Sequence, residues 1–204
     1  MVNPMSEIGK WLGQQLGLSS AERLPPGQHR VSNLPVLDLG VHPVIDLTEW
    51  RLAIHGLVAN PLELTWDELR ALPQIEITAD IHCVTHWSSL DVHWSGVAMK
   101  SLLDIAQPQP EGRFVTLYSY DNYTTNLPLA ALLDDDVLLA HHLNGEPLSV
   151  EHGGPLRMVV PKRYFWKSAK WIKAIEIHAE DRPGFWEVRG YHNEAFPWEE
   201  QRFG

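Results

Sequence analysis

Ile75, Ile77, Ala79 and Ile81 alternate with polar residues and run without a break into His82-Cys83-Val84-Thr85-His86-Trp87. A period of two is the signature of a strand with one buried face, and the polar-aromatic run that follows marks where this strand gives way to a loop. The same alternation at Trp50, Leu52 and Ile54, set against Arg51, Ala53 and His55, predicts a second half-buried strand. Between them Thr65-x-x-Glu68 reads as a capping box opening a short helix that Pro73 stops. Further on, Gly96–Ala106 reads as a helix, Phe114–Tyr120 as a strand and Leu129–Leu133 as a helix ending at three aspartates. Val137–Leu143 reads as a strand turning at Asn144-Gly145, and Leu156–Val160 and Trp171–Ile177 as two more. No internal repeat is present. Short strands with brief helices predict an α+β fold with mixed β-sheets rather than a doubly wound parallel one.

Residues 1–32 read as an N-terminal helix and loop, and residues 33–204 as one domain. Ile8, Trp11, Leu12, Gln15 and Leu16 fall at helical spacing, which predicts an amphipathic helix docking on the body. A loop rich in Pro, Gly and Ser follows, from Ser19 to Leu34. The stretch from Arg182 to Gly204 is aromatic and loop-like, able to lie back over the domain. Met1 to Gln15 lacks a basic region followed by an apolar run, and lacks twin arginines, so the expected location is cytoplasmic. No run approaches the ~18 apolar residues of a membrane span.

Charge and cysteine usage narrow the function. The net charge of −10 argues against nucleic acid or an anionic membrane as a partner. A single cysteine excludes an internal disulfide, a Cys-rich zinc knuckle and a cysteine-held iron–sulfur cluster. Nine tryptophans and eleven histidines suit either an aromatic core or a crowded ligand pocket.

Cys83, at a strand end with His82, His86 and Trp87 beside it, is the natural candidate for chemistry. Its residue type admits several roles: an inert small hydrophobe, a nucleophile with a histidine base, a zinc ligand with His86 and His93 or the His141-His142 pair, or a soft thiolate ligand to a heavier metal carried by an organic cofactor. Periodicity does not separate them. Arg157, Lys162, Arg163, Lys167 and Lys170 are five cations in fourteen residues of an acidic chain. Together with Gly153-Gly154 they read as an anion site, where arginine and backbone amides hold a phosphate, or more plainly as a solvated basic edge.

The run Asp136-Val137-Leu138-Leu139-Ala140, then Asn144-Gly145-x-Pro147-Leu148, His152-Gly153-x-Pro155-Leu156-Arg157-x-Val159-Val160-Pro161 and Lys170-Trp171 resembles the molybdopterin-binding domain of the sulfite oxidase family. Cys83-Val84-x-x-Trp87-Ser88 and Trp94-x-Gly96-Val97 resemble the branch that holds the bacterial methionine-sulfoxide reductase catalytic subunit. The likeness runs from about Asn33 to Trp198 and implies a molybdenum–molybdopterin cofactor. It implies that Cys83 is the metal's thiolate ligand, that His152 and Arg157 hold the pterin and its phosphate, and that Ser168, Ala169 and Lys170 form a phosphate-binding turn. It places Asn33 and Ser119 at further cofactor contacts, Tyr191 on the substrate side, and Lys167 where sulfite oxidases carry an arginine.

The departures concern the substrate. Trp87 and Ser88 stand where sulfite oxidases have an arginine pair, and Thr85 stands where the exported reductases have glutamate. The expected activity is oxygen-atom transfer or two-electron redox on a small sulfoxide, N-oxide or sulfite-like substrate. Electrons would come from or go to an external donor or acceptor protein, since the chain carries no second cofactor motif. A non-catalytic cofactor-binding or interaction module of the same fold is the competing expectation.

Overall fold

The computed structural model describes residues 22–204, so the helix expected around Ile8–Leu16 lies outside the described residues. Two sheets carry the fold. The first holds β1 (His29–Val31), β4 (Ile75–His82), β5 (Trp87–Ala98), β8 (Leu138–Leu143), β9 (Glu146–Pro147) and β10 (Arg157–Val159). The second has the order β3 (Leu62–Thr65), β2 (Arg51–Gly56), β11 (Ile172–His178), β6 (Phe114–Ser119) and β7 (Thr124–Pro128). With β1∥β5 and β2∥β11 parallel and the other pairings antiparallel, both sheets are mixed, as expected.

The helices are brief: α1 (Trp66–Ala71) and α2 (Met99–Ala106). α1 starts where the sequence places it. The Thr65 hydroxyl accepts from the Glu68 amide while the Glu68 carboxylate accepts from the Thr65 amide, so two otherwise unpaired amides are satisfied at once.

Three segments differ from the sequence expectation. Gly96, Val97 and Ala98 belong to β5 and α2 begins only at Met99, because Gly96 lies so close to β8 that a Cβ there would sit 2.0 Å from the Leu139 carbonyl. That approach keeps the chain in the β5–β8 ladder, and the whole of β5 was hidden by its mixed burial pattern. Leu129–Leu133 is a 3-10 segment, not an α-helix. His29–Val31, within the expected leading loop, pairs with Trp87–Ser89.

β4 pairs along one edge of β5, while β1 and β8 share its other edge at opposite ends. The hairpin tip between β4 and β5 is therefore anchored on both sides, and Cys83 sits in that tip. Two apolar clusters result. One fills the space between the sheets around Leu52, Ile54, Leu102, Val115, Leu117, Ile175 and Ile177. The other gathers Ile81, Cys83, Trp87, Trp94, Leu138 and Tyr164 beneath the hairpin tip.

Candidate active site

The turn that carries Cys83 is tightly determined. The Cys83 amide donates to the Trp87 carbonyl at 2.9 Å, and the His86 amide donates to the Cys83 carbonyl at 3.1 Å. His86 takes a φ of 73°, in the left-handed region, which costs a side-chain-bearing residue about 1 kcal/mol and is held by the surrounding bonds. The Gln28 amide reaches in from the N-terminal side to donate to the Cys83 carbonyl at 3.0 Å, and buried Arg202 reaches back from the C-terminus to donate to the Val84 carbonyl at 2.7 Å. The thiol itself is buried, and the Thr85 hydroxyl donates to its Sγ at 3.2 Å. Burial pushes the Cys83 thiol up, while the Thr85 hydroxyl, the Thr85 and Val84 amides and the charge of Arg202 favour the thiolate.

Cys83 opens onto a cavity of about 320 Å³, within the size range of small-ligand sites. His152, Arg157, Ser168, Ala169 and Lys170 line it, as do Trp166, Trp186 and Tyr191. The structure thus brings Cys83, Tyr191, His152, Arg157, Ser168, Ala169 and Lys170 together around one space. It does not bring Lys167, Ser119 or Asn33 to it. Lys167, expected among the catalytic residues where sulfite oxidases carry an arginine, is fully buried off the cavity lining with Nζ 2.7 Å from Glu187 Oε1. Ser119 is fully buried with an unpartnered hydroxyl away from the cavity lining, and Asn33 is exposed.

Of the five cations that cluster in the sequence, Lys162 pairs with Asp134, Arg163 lies 3.6 Å from Glu194 and Lys167 pairs with Glu187. Arg157 and Lys170 face the cavity. The Arg157 guanidinium donates to the carbonyls of His152 (2.7 Å) and Ser168 (2.9 Å) and packs 4.2 Å over the Phe165 ring. It has no carboxylate within salt-bridge distance among the described residues. Burial alone pulls it down to about 9, so it remains a cation at neutral pH in want of an anion. Lys170 is pulled down to about 8, first by burial and then by the charge of Arg157, and Asp38 at 3.5 Å partly offsets both.

His152 donates Nε2–H to the Leu34 carbonyl at 3.0 Å, leaving Nδ1 to accept from the Ser149 hydroxyl, also at 3.0 Å. This fixes the ring and ties the segment Pro35–Leu39 across the cavity, where Asp38 joins the lining. Tyr191 stacks on Trp186 with ring centroids 4.7 Å apart and meets Trp166 edge-on at 5.0 Å. Burial pushes its phenol up, with a further push from Cys83.

Asp38, Tyr123, Phe165 and Trp166 are lining residues that the sequence reading did not single out. Phe165-Trp166 directly precedes the basic turn, a clustering that was visible. Asp38 carried no signal, because the cavity cation it meets, Lys170 at 3.5 Å, lies more than a hundred residues along the chain.

A soft thiol and two cations, Arg157 without a carboxylate partner and Lys170, lining one cavity form a donor set that fits a metal carried on a phosphate-bearing organic cofactor. The family of the oxidoreductase molybdopterin-binding domain matches residues 39–186. The chain belongs to this family. Oxidoreductase YuiH of Bacillus subtilis is 44% identical over 194 residues, 95% of this chain and 98% of that one. YedZ1 of Azospira oryzae, a subunit named for protein-methionine-sulfoxide reductase, is 30% identical over 72% of this chain and 56% of its own length. The crystal structure of the sulfane dehydrogenase SoxCD from Paracoccus pantotrophus superposes with a TM-score of 0.62 at 27% identity, covering 68% of this chain and 40% of that one. The protein is an enzyme of molybdenum-dependent redox chemistry, its cofactor is a molybdenum pyranopterin, and the mixed-sheet α+β fold is that of its molybdenum-enzyme relatives. No helix among the described residues is long and apolar enough to cross a membrane.

Proposed function

We propose that the enzyme transfers an oxygen atom to or from a small neutral substrate, a sulfoxide or an N-oxide. One observation carries this reading: Trp166, Tyr191 and Trp186 line the cavity in mutual ring contact, while its two cations are already engaged, Arg157 by the His152 and Ser168 carbonyls and Lys170 by Asp38 and the Glu151 carbonyl. With Arg157 and Lys170 given over to the cofactor phosphate, an anion such as sulfite would meet aromatic rings and no further cation, whereas a neutral S–O or N–O dipole loses little hydration there.

Cys83 would supply the thiolate bond to the metal. Arg157, Lys170 and the turn Ser168-Ala169 would hold the phosphate, and the fixed ring of His152 would flank the pterin. When bound, the cofactor supplies the two-electron redox chemistry and the exchange of oxygen with the substrate. Tyr191 keeps its proton at neutral pH and donates it in a hydrogen bond to the substrate oxygen, which lowers the cost of charge building up on that atom. Lys167, paired with Glu187, positions the aromatic wall and does not touch substrate. The two electrons are exchanged with a separate electron-transfer protein, and the compartment is the cytoplasm.

The test is turnover of sulfoxides, N-oxides and sulfite by protein from a molybdenum-replete host, with a reduced viologen as donor or ferricyanide as acceptor. The expected result is reduction of the neutral substrates, lost in Cys83→Ser with pterin still bound. Sulfite oxidation as the dominant activity overturns the substrate assignment.

A further inference from the structure

Thr85 Oγ1 donates to Cys83 Sγ at 3.2 Å, and Thr85 lines the cavity directly beside the thiol. The bond is not incidental to a loose loop. The turn is pinned by Cys83 to Trp87 and His86 to Cys83 through the backbone, by Gln28 on the Cys83 carbonyl and by Arg202 on the Val84 carbonyl. Those four contacts leave Thr85 with little freedom except in its own side-chain torsion.

A hydroxyl proton directed at a metal-bound thiolate withdraws electron density from the sulfur. The sulfur then donates less to the metal, and the more reduced state of the metal is favoured; hydrogen bonds to ligating sulfurs tune potentials in this way in other metal centres. We infer that Thr85 is a positioning residue that sets the donor strength of the Cys83 thiolate and so raises the reduction potential of the bound metal. This rests on Cys83 as the metal ligand and is independent of which substrate the enzyme uses. The assignment belongs to the hydroxyl and not to the shape of the side chain, so serine can replace threonine and valine cannot.

The experiment is a redox titration of the molybdenum(V) electron paramagnetic resonance signal in substrate-free, cofactor-loaded wild type, Thr85→Val, Thr85→Ala and Thr85→Ser, with metal and pterin content measured for each. Thr85→Val and Thr85→Ala are both expected to move the midpoint potential to more negative values, and Thr85→Ser to restore it to that of the wild type. Two hydroxyl-free variants of different bulk are included, so a loading defect in one leaves the other to decide. Wild-type potentials in the hydroxyl-free variants overturn the proposal, as does a shift in Thr85→Ser as large as that in Thr85→Val. If Cys83→Ser keeps the wild-type signal, the ligand assignment beneath the proposal has failed instead.

Discussion

Lys167 Nζ lies 2.7 Å from Glu187 Oε1, and both side chains are sealed from solvent. The same carboxylate oxygen accepts from the Trp166 indole and the Thr125 hydroxyl, each at 2.9 Å, while Glu187 Oε2 has no partner. The ammonium also donates to the carbonyl and side-chain oxygen of Asn126. The pair is thus a buried brace for Trp166, whose ring forms the cavity wall against Tyr191.

Burial pushes the Lys167 ammonium down and the Glu187 carboxylate pulls it back only in part, so the pair contributes through its partnership and not through net charge–charge gain. Lys167→Met strands a buried carboxylate and is expected to cost about 3–5 kcal/mol. Adding Glu187→Gln removes the stranded charge and keeps an acceptor for Trp166, so the double variant should recover most of that loss in a guanidinium denaturation series.

His82 is held neutral beside the active-site turn, with Nδ1 2.8 Å from the Ser88 hydroxyl. Burial lowers it from 6.5 to about 4, outweighing the opposing pull of Asp80. The unfolded chain therefore takes up a proton on this ring as pH falls below 6.5, while the folded protein does not until about pH 4. Stability falls across that window, by on the order of 3 kcal/mol for this group. His141, also lowered to about 4, first by burial and then by Arg70, adds to the slope. Denaturant midpoints measured from pH 7 to pH 4.5 should decline steeply in the wild type and less steeply in His82→Gln.

Gly96→Ala places a methyl group 2.0 Å from the Leu139 carbonyl and 2.8 Å from Ala140 Cα, both backbone atoms that cannot rotate away. β5 and β8 must part at the point where their register already shifts. The expected loss is about 1–3 kcal/mol, read as a fall in Tm of about 2–4 °C per kcal/mol for a chain of this size.

Arg157→Lys should behave as a loss of function. The planar fork bonds two carbonyls from different segments, His152 and Ser168, while stacking on Phe165, and an ammonium reproduces neither the fork nor the stack. Leaving those carbonyls unpaired costs about 1–3 kcal/mol, and pterin retained per protein after gel filtration should drop well below that of the wild type.

Much was legible from local pattern. The capping box at Thr65, the alternation of β4 and the turn at Asn144-Gly145 all depend on residues within a few positions of each other, and all appear where the sequence places them. The basic turn and the lone cysteine, both of which line the cavity, stood out for the same reason: thiol and guanidinium chemistry is a property of residue type. By itself, the sequence determined which groups could bind a soft metal and an anion, and that short strands would frame them.

The tertiary structure decided which of those groups meet. Five cations close in sequence are dispersed by the turns of the chain: Lys162, Arg163 and Lys167 onto acidic partners away from the cavity, Lys170 into the cavity beside Asp38, and Arg157 into it with no carboxylate partner among the described residues. Asp38, Thr85 and Glu187 gained their places through packing against distant or differently oriented elements, and Lys167, a catalytic candidate by residue type, became a buried brace. Residue type fixes what a side chain can bind, but burial and orientation are set by the whole chain at once, and no local spacing encodes them.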